Sequence, residues 1–131
     1  YDEIGLGPTI WSPLASGILT GKYNDGVPDD SRLALPNYSW LKDMLMSDEG
    51  QARLEKVREL TKVAEELDCS MAQLALAWAI KNPNVSTAIT GATKLSHLED
   101  NFQALNVVES LDEGVMQTIA DVLDNEPEPM G

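Results

Sequence analysis

The run Thr9-Ile10-Trp11-Ser12-Pro13-Leu14-Ala15-Ser16-Gly17-Ile18-Leu19-Thr20-Gly21-Lys22-Tyr23 decides how this chain folds. Thr9 to Trp11 are β-branched or aromatic, which suits a short buried strand. Pro13 has no N–H to give to a sheet ladder, so the strand stops around Ser12. The small residues, two glycines and lysine that follow let a ligand approach the backbone and meet a positive charge. The plan recurs further along. Val85-Ser86-Thr87-Ala88-Ile89 reads as a strand buried on both sides, Thr90-Gly91-Ala92-Thr93-Lys94 as its loop, and a helical run follows. Two strands, each ending in a small-residue loop that carries a lysine, look like two walls of one anion site.

Between and after them the pattern is helical. Pro36 to Met46 predicts a short helix carrying Trp40, Leu41 and Leu45. Ser47 is a good N-cap with Asp48 and Glu49 in the first turn. From there Leu54, Val57, Leu60, Thr61, Ala64 and Leu67 form one apolar face, with Glu55, Arg58, Glu59, Lys62 and Glu65 on the other. Ser70 and Gln73 have capping-box spacing for a second helix, whose face Met71, Leu74, Ala75 and Trp78 belongs in the core and which ends before Pro83. Thr93 is placed to cap a helix over roughly Leu95–Leu105. Ser110 to Glu113 reads as a capping box for a final helix with Val115, Ile119, Val122 and Leu123 inward. Residues 125–131 form an acidic tail. Strand, loop, helices, strand, loop, helices is the order of a parallel α/β unit.

The bulk composition narrows the function. With 131 residues, 43% of them hydrophobic, the chain suits one folded domain. A net charge of −13 lacks the basic footprint that nucleic acid needs, and any anionic cofactor must be held by a few local cations. Cys69 is the one cysteine and His97 the one histidine, so neither a disulfide framework nor a Cys- or His-based metal centre is expected, which suits a reducing cytoplasm. No apolar run approaches the ~20 residues of a membrane span, and Tyr1-Asp2-Glu3 does not resemble a signal peptide. The chain opens without Met, as if continuing from something longer.

WSPLASGILTGKY, the following Asp30-Ser31-Arg32, and GATKLSHLEDN together resemble the aldo-keto reductases, most of all the subfamily of voltage-gated potassium channel β-subunits. The resemblance runs from about Tyr1 to Pro127 and matches the C-terminal third of that family's (β/α)8 barrel. It implies an α/β fold made of the last two β/α units plus a C-terminal helix, since a whole barrel takes about 250 residues. It also implies NADP as cofactor, a small carbonyl compound as substrate of the complete protein, and a second copy or a channel as partner. Carried over position by position, Trp11, Ser12, Pro13, Leu14, Ala15 and Ser16 run along the nicotinamide and pyrophosphate. Lys22 reaches the phosphates and Arg32 comes from the loop over the dinucleotide. Gly91 and Thr93 support the adenosine end, Lys94 neighbours the 2′-phosphate, and His97 lies beside the adenosine. Asp100 and Asn101 meet the adenine amino edge. His97 stands where the family usually has Gln or Arg, Asp100 where it has Glu, and Asp30 where this subfamily often has Tyr.

Each assignment has a plainer counterpart. Thr93 is a cap and Lys94 a solvated lysine unless an anion sits there; on sequence alone the two readings are even. His97 on an exposed helix face is more often solvated. At Cys69 a helix start lowers the thiol pKa while Asp68 raises it. Glu65-Glu66, Glu126 and Glu128 read as solvated charge. Asn24 to Leu35 is a polar excursion long enough to serve as a lid. The family's tyrosine, lysine, aspartate and histidine tetrad belongs to the first half of the barrel, and Tyr1, Tyr23 and Tyr38 do not fit it. The chain by itself is therefore expected to grip a cofactor and to lack the proton machinery of a reductase. Two strands leave two open edges, so the isolated chain is expected to associate or melt with poor cooperativity.

Overall fold

In the computed structural model, which describes residues 4–125, two short strands pair in parallel: β1 (Thr9–Trp11) and β2 (Thr87–Ile89). Their register sets Thr9 beside Thr87, Ile10 beside Ala88 and Trp11 beside Ile89. Between them lie short 3-10 turns and three helices, α1 (Ser39–Met46), α2 (Asp48–Glu66) and α3 (Met71–Lys81). After β2 come α4 (Leu95–Val107), a 3-10 turn and α5 (Glu113–Leu123). This is a two-stranded α/β arrangement with helical crossovers.

Capping chemistry sets the helix starts. Ser47 Oγ accepts from the Gly50 N–H at 3.1 Å and opens α2. Gly50 is required there, because a Cβ would sit 2.3 Å from the Met44 and Leu45 carbonyl oxygens at the end of α1. Ser70 and Gln73 form the expected capping box at α3. Two caps differ from expectation. Lys94, not Thr93, is the N-cap of α4, and no side chain hydrogen-bonds there. Asp112 rather than Ser110 caps α5, accepting from the Val115 N–H at 2.9 Å. Ser110 is held in the 3-10 turn that extends α4, so it cannot adopt the extended backbone of a cap.

The core lies among the helices. Leu54, Val57, Leu60, Val63 and Ala64 of α2 meet Met71, Leu74, Ala75 and Ala77 of α3, with Leu41, Leu45, Val107, Leu111 and Ile119 closing the sides. Tyr23 and Leu33 bring the segment after β1 into the same core. The strands depart from expectation. They are not buried on both sides: Trp11 is 84% exposed and Ile89 54%. Trp78, expected in the core, is 43% exposed, although Met71, Leu74 and Ala75, which share its helical spacing, are buried as expected. Trp40 is exposed too, although Leu41 and Leu45 of the same helix are buried. Tyr1 and the acidic tail from Glu126 onward lie outside the described residues.

Candidate functional site

Both small-residue loops leave the strand pair at the same end. Parallel pairing requires this: the chain passes from Trp11 into Ser12–Tyr23 and from neighbouring Ile89 into Thr90–Lys94. The site is an open surface, with Trp11, Ala15, Lys22, Gly91, Thr93 and Lys94 exposed and Ser12, Pro13, Leu14 and Ser16 half-buried.

The first loop is a strained coil. Ser12, Ala15 and Ser16 have φ of 55°, 48° and 59°, and Gly17 follows at 94°. Left-handed backbone costs L-residues roughly 1–2 kcal/mol each, and such strain collects at functional sites where the surroundings hold it. The holding groups are local. The Ala15 N–H donates to the Ser12 carbonyl, the Gly17 N–H to the Leu14 carbonyl, and the Ser16 N–H to Ser12 Oγ at 3.3 Å. Ser12 therefore closes its own loop and still has a hydroxyl proton to give. Lys22 lies back across this coil, its Nζ 5.0 Å from the Tyr23 ring centroid. A Cβ at Gly17 would come within 3.1 Å of that Nζ, so the glycine leaves room for the charge.

The second loop is open. Around Gly91 nothing lies within 4 Å of a would-be Cβ, which leaves the backbone free for close approach. The start of α4 has no side-chain cap, so its first N–H groups face outward beside Lys94, where the helix dipole favours an anion. Two lysines and an uncapped helix N-terminus make a donor set suited to phosphates. Arg32 projects from between buried Ser31 and Leu33, with its guanidinium 5.4 Å from the Tyr38 ring centroid. Those two anchors also pin the Asn24–Leu35 segment to the core.

On α4, His97 and Asn101 share a face one turn apart, His97 exposed and Asn101 half-buried. Asp100 faces α3. Its Oδ2 accepts from Ser70 Oγ at 3.0 Å, and its Oδ1 accepts from Gln73 Nε2 at 2.7 Å.

Sequence reasoning missed a tether behind the first loop. Arg58 of α2 donates through Nε (3.0 Å) and Nη2 (2.6 Å) to the Asn24 carbonyl, and Asn24 Nδ2 donates to Thr61 Oγ1 at 3.2 Å. Arg58 sits on the face read as solvated, and nothing in its spacing distinguishes it from Lys62. Tyr23 is 1% exposed, and among the described residues its hydroxyl and Asn24 Oδ1 are buried without hydrogen-bond partners. Two hollows lie away from the strand ends, one lined by Glu65, Asp68, Cys69, Ser70 and Gln73 and the other by Ile18, Met44, Leu45, Gly50 and Arg53. Among the described residues, no three His, Cys, Asp or Glu side chains come together at metal-binding range, and no helix is long and apolar enough to cross a membrane.

A parallel β/α pair that delivers two lysine-bearing loops to one end has the arrangement of an α/β protein, the class in which ligands sit outside the carboxyl ends of the strands. Residues 2–124 match the model of the Aldo/keto reductase family, and the chain belongs to that family. Over 123 residues it is 44% identical to the "Putative voltage-gated potassium channel subunit beta" of Schizosaccharomyces pombe, a match covering 94% of this chain and 36% of that protein. The chain thus spans about a third of the length of the curated relative it matches.

Proposed function

We propose that this chain is the cofactor-gripping part of an NADPH-dependent aldo-keto reductase that acts on small aldehydes or ketones in the cytoplasm. It forms the last two β/α units of a (β/α)8 barrel, whose other units complete the sheet beside β1 and β2. The convergence of the two loops at one end of the parallel pair carries this reading, because barrel enzymes place their sites, and often their phosphate groups, at the C-terminal ends of the strands. Lys22 and the Ser12–Ser16 coil hold the pyrophosphate, Trp11 flanks the nicotinamide, and Arg32 covers the dinucleotide. Gly91, Thr93, Lys94, His97 and Asn101 hold the adenosine half, with Lys94 at the 2′-phosphate. The dinucleotide supplies a hydride. This chain's residues bind and orient it; the tyrosine that gives the proton lies in another part of the barrel, and this chain alone is inactive.

The discriminating experiment compares NADPH with NADH in the complete protein. A hydrogen bond to a charged group is worth about 1.5–3 kcal/mol, and each ~1.4 kcal/mol is tenfold in affinity. Lys94→Ala should weaken NADPH roughly 10- to 100-fold and leave NADH nearly unchanged. Lys22→Ala should weaken both, since the pyrophosphate is common to them. Equal losses of the two nucleotides in Lys94→Ala would return Lys94 to solvent.

A second reading rests on the name of the fungal relative: a regulatory β-subunit of a voltage-gated potassium channel that senses the nucleotide without turnover. Both readings use the same grip. They separate on steady-state reduction of an aldehyde by the complete protein, which the enzyme catalyses and a pure sensor does not.

A further inference from the structure

We propose that Asp100 is a positioning residue that latches α4 to the start of α3, and that it takes no part in reading the adenine base. This rests on the NADPH reading above and refines its adenosine end.

The placement of Asp100 within α4 carries the inference. Asp100, Ala104 and Val107 recur at helical spacing, and Ala104 and Val107 are buried on the side that packs along α3. Asp100 is the polar member of that packed stripe. His97 and Asn101 lie along one edge of that stripe, and among the described residues neither side chain makes a hydrogen bond within the chain, whereas both Asp100 carboxylate oxygens do.

The carboxylate is engaged at both oxygens, by Ser70 Oγ at 3.0 Å and Gln73 Nε2 at 2.7 Å, while Gln73 Nε2 also reaches the Asp100 carbonyl at 3.2 Å. Those two donors are the residues of the α3 capping box. Gln73 Oε1 accepts from the Ser70 N–H and Ser70 Oγ from the Gln73 N–H, both at 3.1 Å. Asp100 completes a closed ring of polar groups at the first turn of α3, where the helix dipole favours a negative charge. Turning the carboxylate toward a base would break two charge-assisted bonds, leaving the Ser70 hydroxyl proton without an acceptor and Gln73 Nε2 with the Asp100 carbonyl alone. Asn101 is free of such commitments. Its side-chain amide presents an acceptor and a donor together, the pair that matches the amine and ring nitrogen of adenine.

The test uses the complete protein, two nucleotides and two variants. The probes are NADPH and its deaminated analogue, in which hypoxanthine replaces adenine and the amine is lost. Asp100→Ala should weaken both by a common factor of about five, as α4 loosens, and should keep their ratio within about twofold of wild type. Amides at the start of α3 and along α4 should exchange faster with solvent in this variant. Asp100→Asn, which keeps one acceptor for Gln73, should restore part of that protection. Asn101→Ala should instead collapse the NADPH preference while leaving exchange at α3 unchanged. A collapsed ratio in Asp100→Ala, or unaltered exchange at α3 and α4, overturns the latch. Failure of the wild-type protein to bind either nucleotide would remove the NADPH reading instead, and the exchange measurement would still decide the latch.

Discussion

The helical side and the strand side of this molecule are built to different standards of completeness. On the helical side, α2 and α3 bury their apolar stripes against each other, and their N-termini are capped by Ser47 and by the Ser70–Gln73 box. On the strand side, β1 and β2 find one partner each, and Trp11 and Ile89 stand exposed at the end where the loops depart. Phe102, Leu98, Leu95 and Leu105 of α4 are exposed as well. An aromatic side chain carries a large apolar surface that gains from being covered, so the contrast marks the surface that the barrel completion proposed above would cover. It also separates what this chain stabilises by itself from what it offers to a ligand.

Truncation on either side should expose that contrast most strongly. Leu74 is 2% exposed in the middle of the core, and removing such a side chain costs about 2–5 kcal/mol. Leu74→Ala should therefore lower the stability of this chain by that amount, read from urea-induced loss of the far-ultraviolet helical signal at one fixed low concentration. Trp11→Ala should change it by no more than about 0.5 kcal/mol, as at an ordinary surface position. In the complete protein the cost of Trp11→Ala should rise, by what the neighbouring units cover. Equal costs for the two substitutions in this chain alone would show that β1 is already covered, and the contrast would be gone.

The helical side was legible because its signals are local. Ser47 with Asp48 and Glu49, or Ser70 with Gln73, needs only a few neighbouring residues to define a helix start. The 3.6-residue recurrence of Leu54, Val57, Leu60 and Ala64 marks a face whatever covers it. Strand burial is not local: Val85 to Ile89 has the composition of a buried strand, but whether it is covered depends on what packs against it and not on its own residues, and Ile89 is 54% exposed. The same limit applies to Trp78, since an apolar residue at helical spacing says which stripe it joins and not how far along the helix that stripe stays covered. That the two lysine-bearing loops share one end was legible, because parallel strands must deliver their following loops to one end. The Arg58 tether and the Asp100 ring were not, because each joins side chains far apart in sequence through hydrogen bonds that no periodicity announces.

Helix starts give a smaller and cleaner contrast between the two sides. At α3, Ser70 Oγ accepts from the Gln73 N–H and also donates to Asp100. Loss of such a cap costs typically ~1 kcal/mol, within a range of about 0.5–2. At α4, Thr93 makes no cap. Ser70→Ala should therefore lower the melting temperature of the nucleotide-free protein by a few degrees, for roughly 1 kcal/mol of stability. Thr93→Ala should leave it unchanged and reveal itself only when NADPH is added. A matching loss in Thr93→Ala without nucleotide would mean that the hydroxyl caps α4 after all, and the open helix start proposed as an anion site would be closed.

The smallest effect concerns Cys69, at the junction of the two buried helices. Its thiol is half-buried in the hollow lined by Glu65, Asp68, Ser70 and Gln73. Burial, followed by the carboxylates of Asp68 and Asp100, pushes its pKa above the ordinary 9.0. The two opposing influences read from the sequence thus resolve on the side of desolvation and negative charge. A raised pKa leaves less thiolate at any pH below it, and the thiolate is the nucleophile. Iodoacetamide should therefore alkylate Cys69 more slowly at pH 8 than it alkylates a short unstructured cysteine peptide, with the rate climbing as pH rises past 9.0. The stability sign follows: the neutral thiol favours the folded state below 9.0, and this contribution is lost as pH rises through the higher folded value. Asp68 supplies a direct check. Its φ of 53° is left-handed backbone that Asn also tolerates, so Asp68→Asn removes the charge without new strain. Alkylation of Cys69 should then speed up by about twofold, as expected for a partly screened surface charge. Wild-type alkylation at or above the peptide rate would place the thiolate in an electropositive setting and overturn the assignment of Cys69 to the inert, packed side of the molecule.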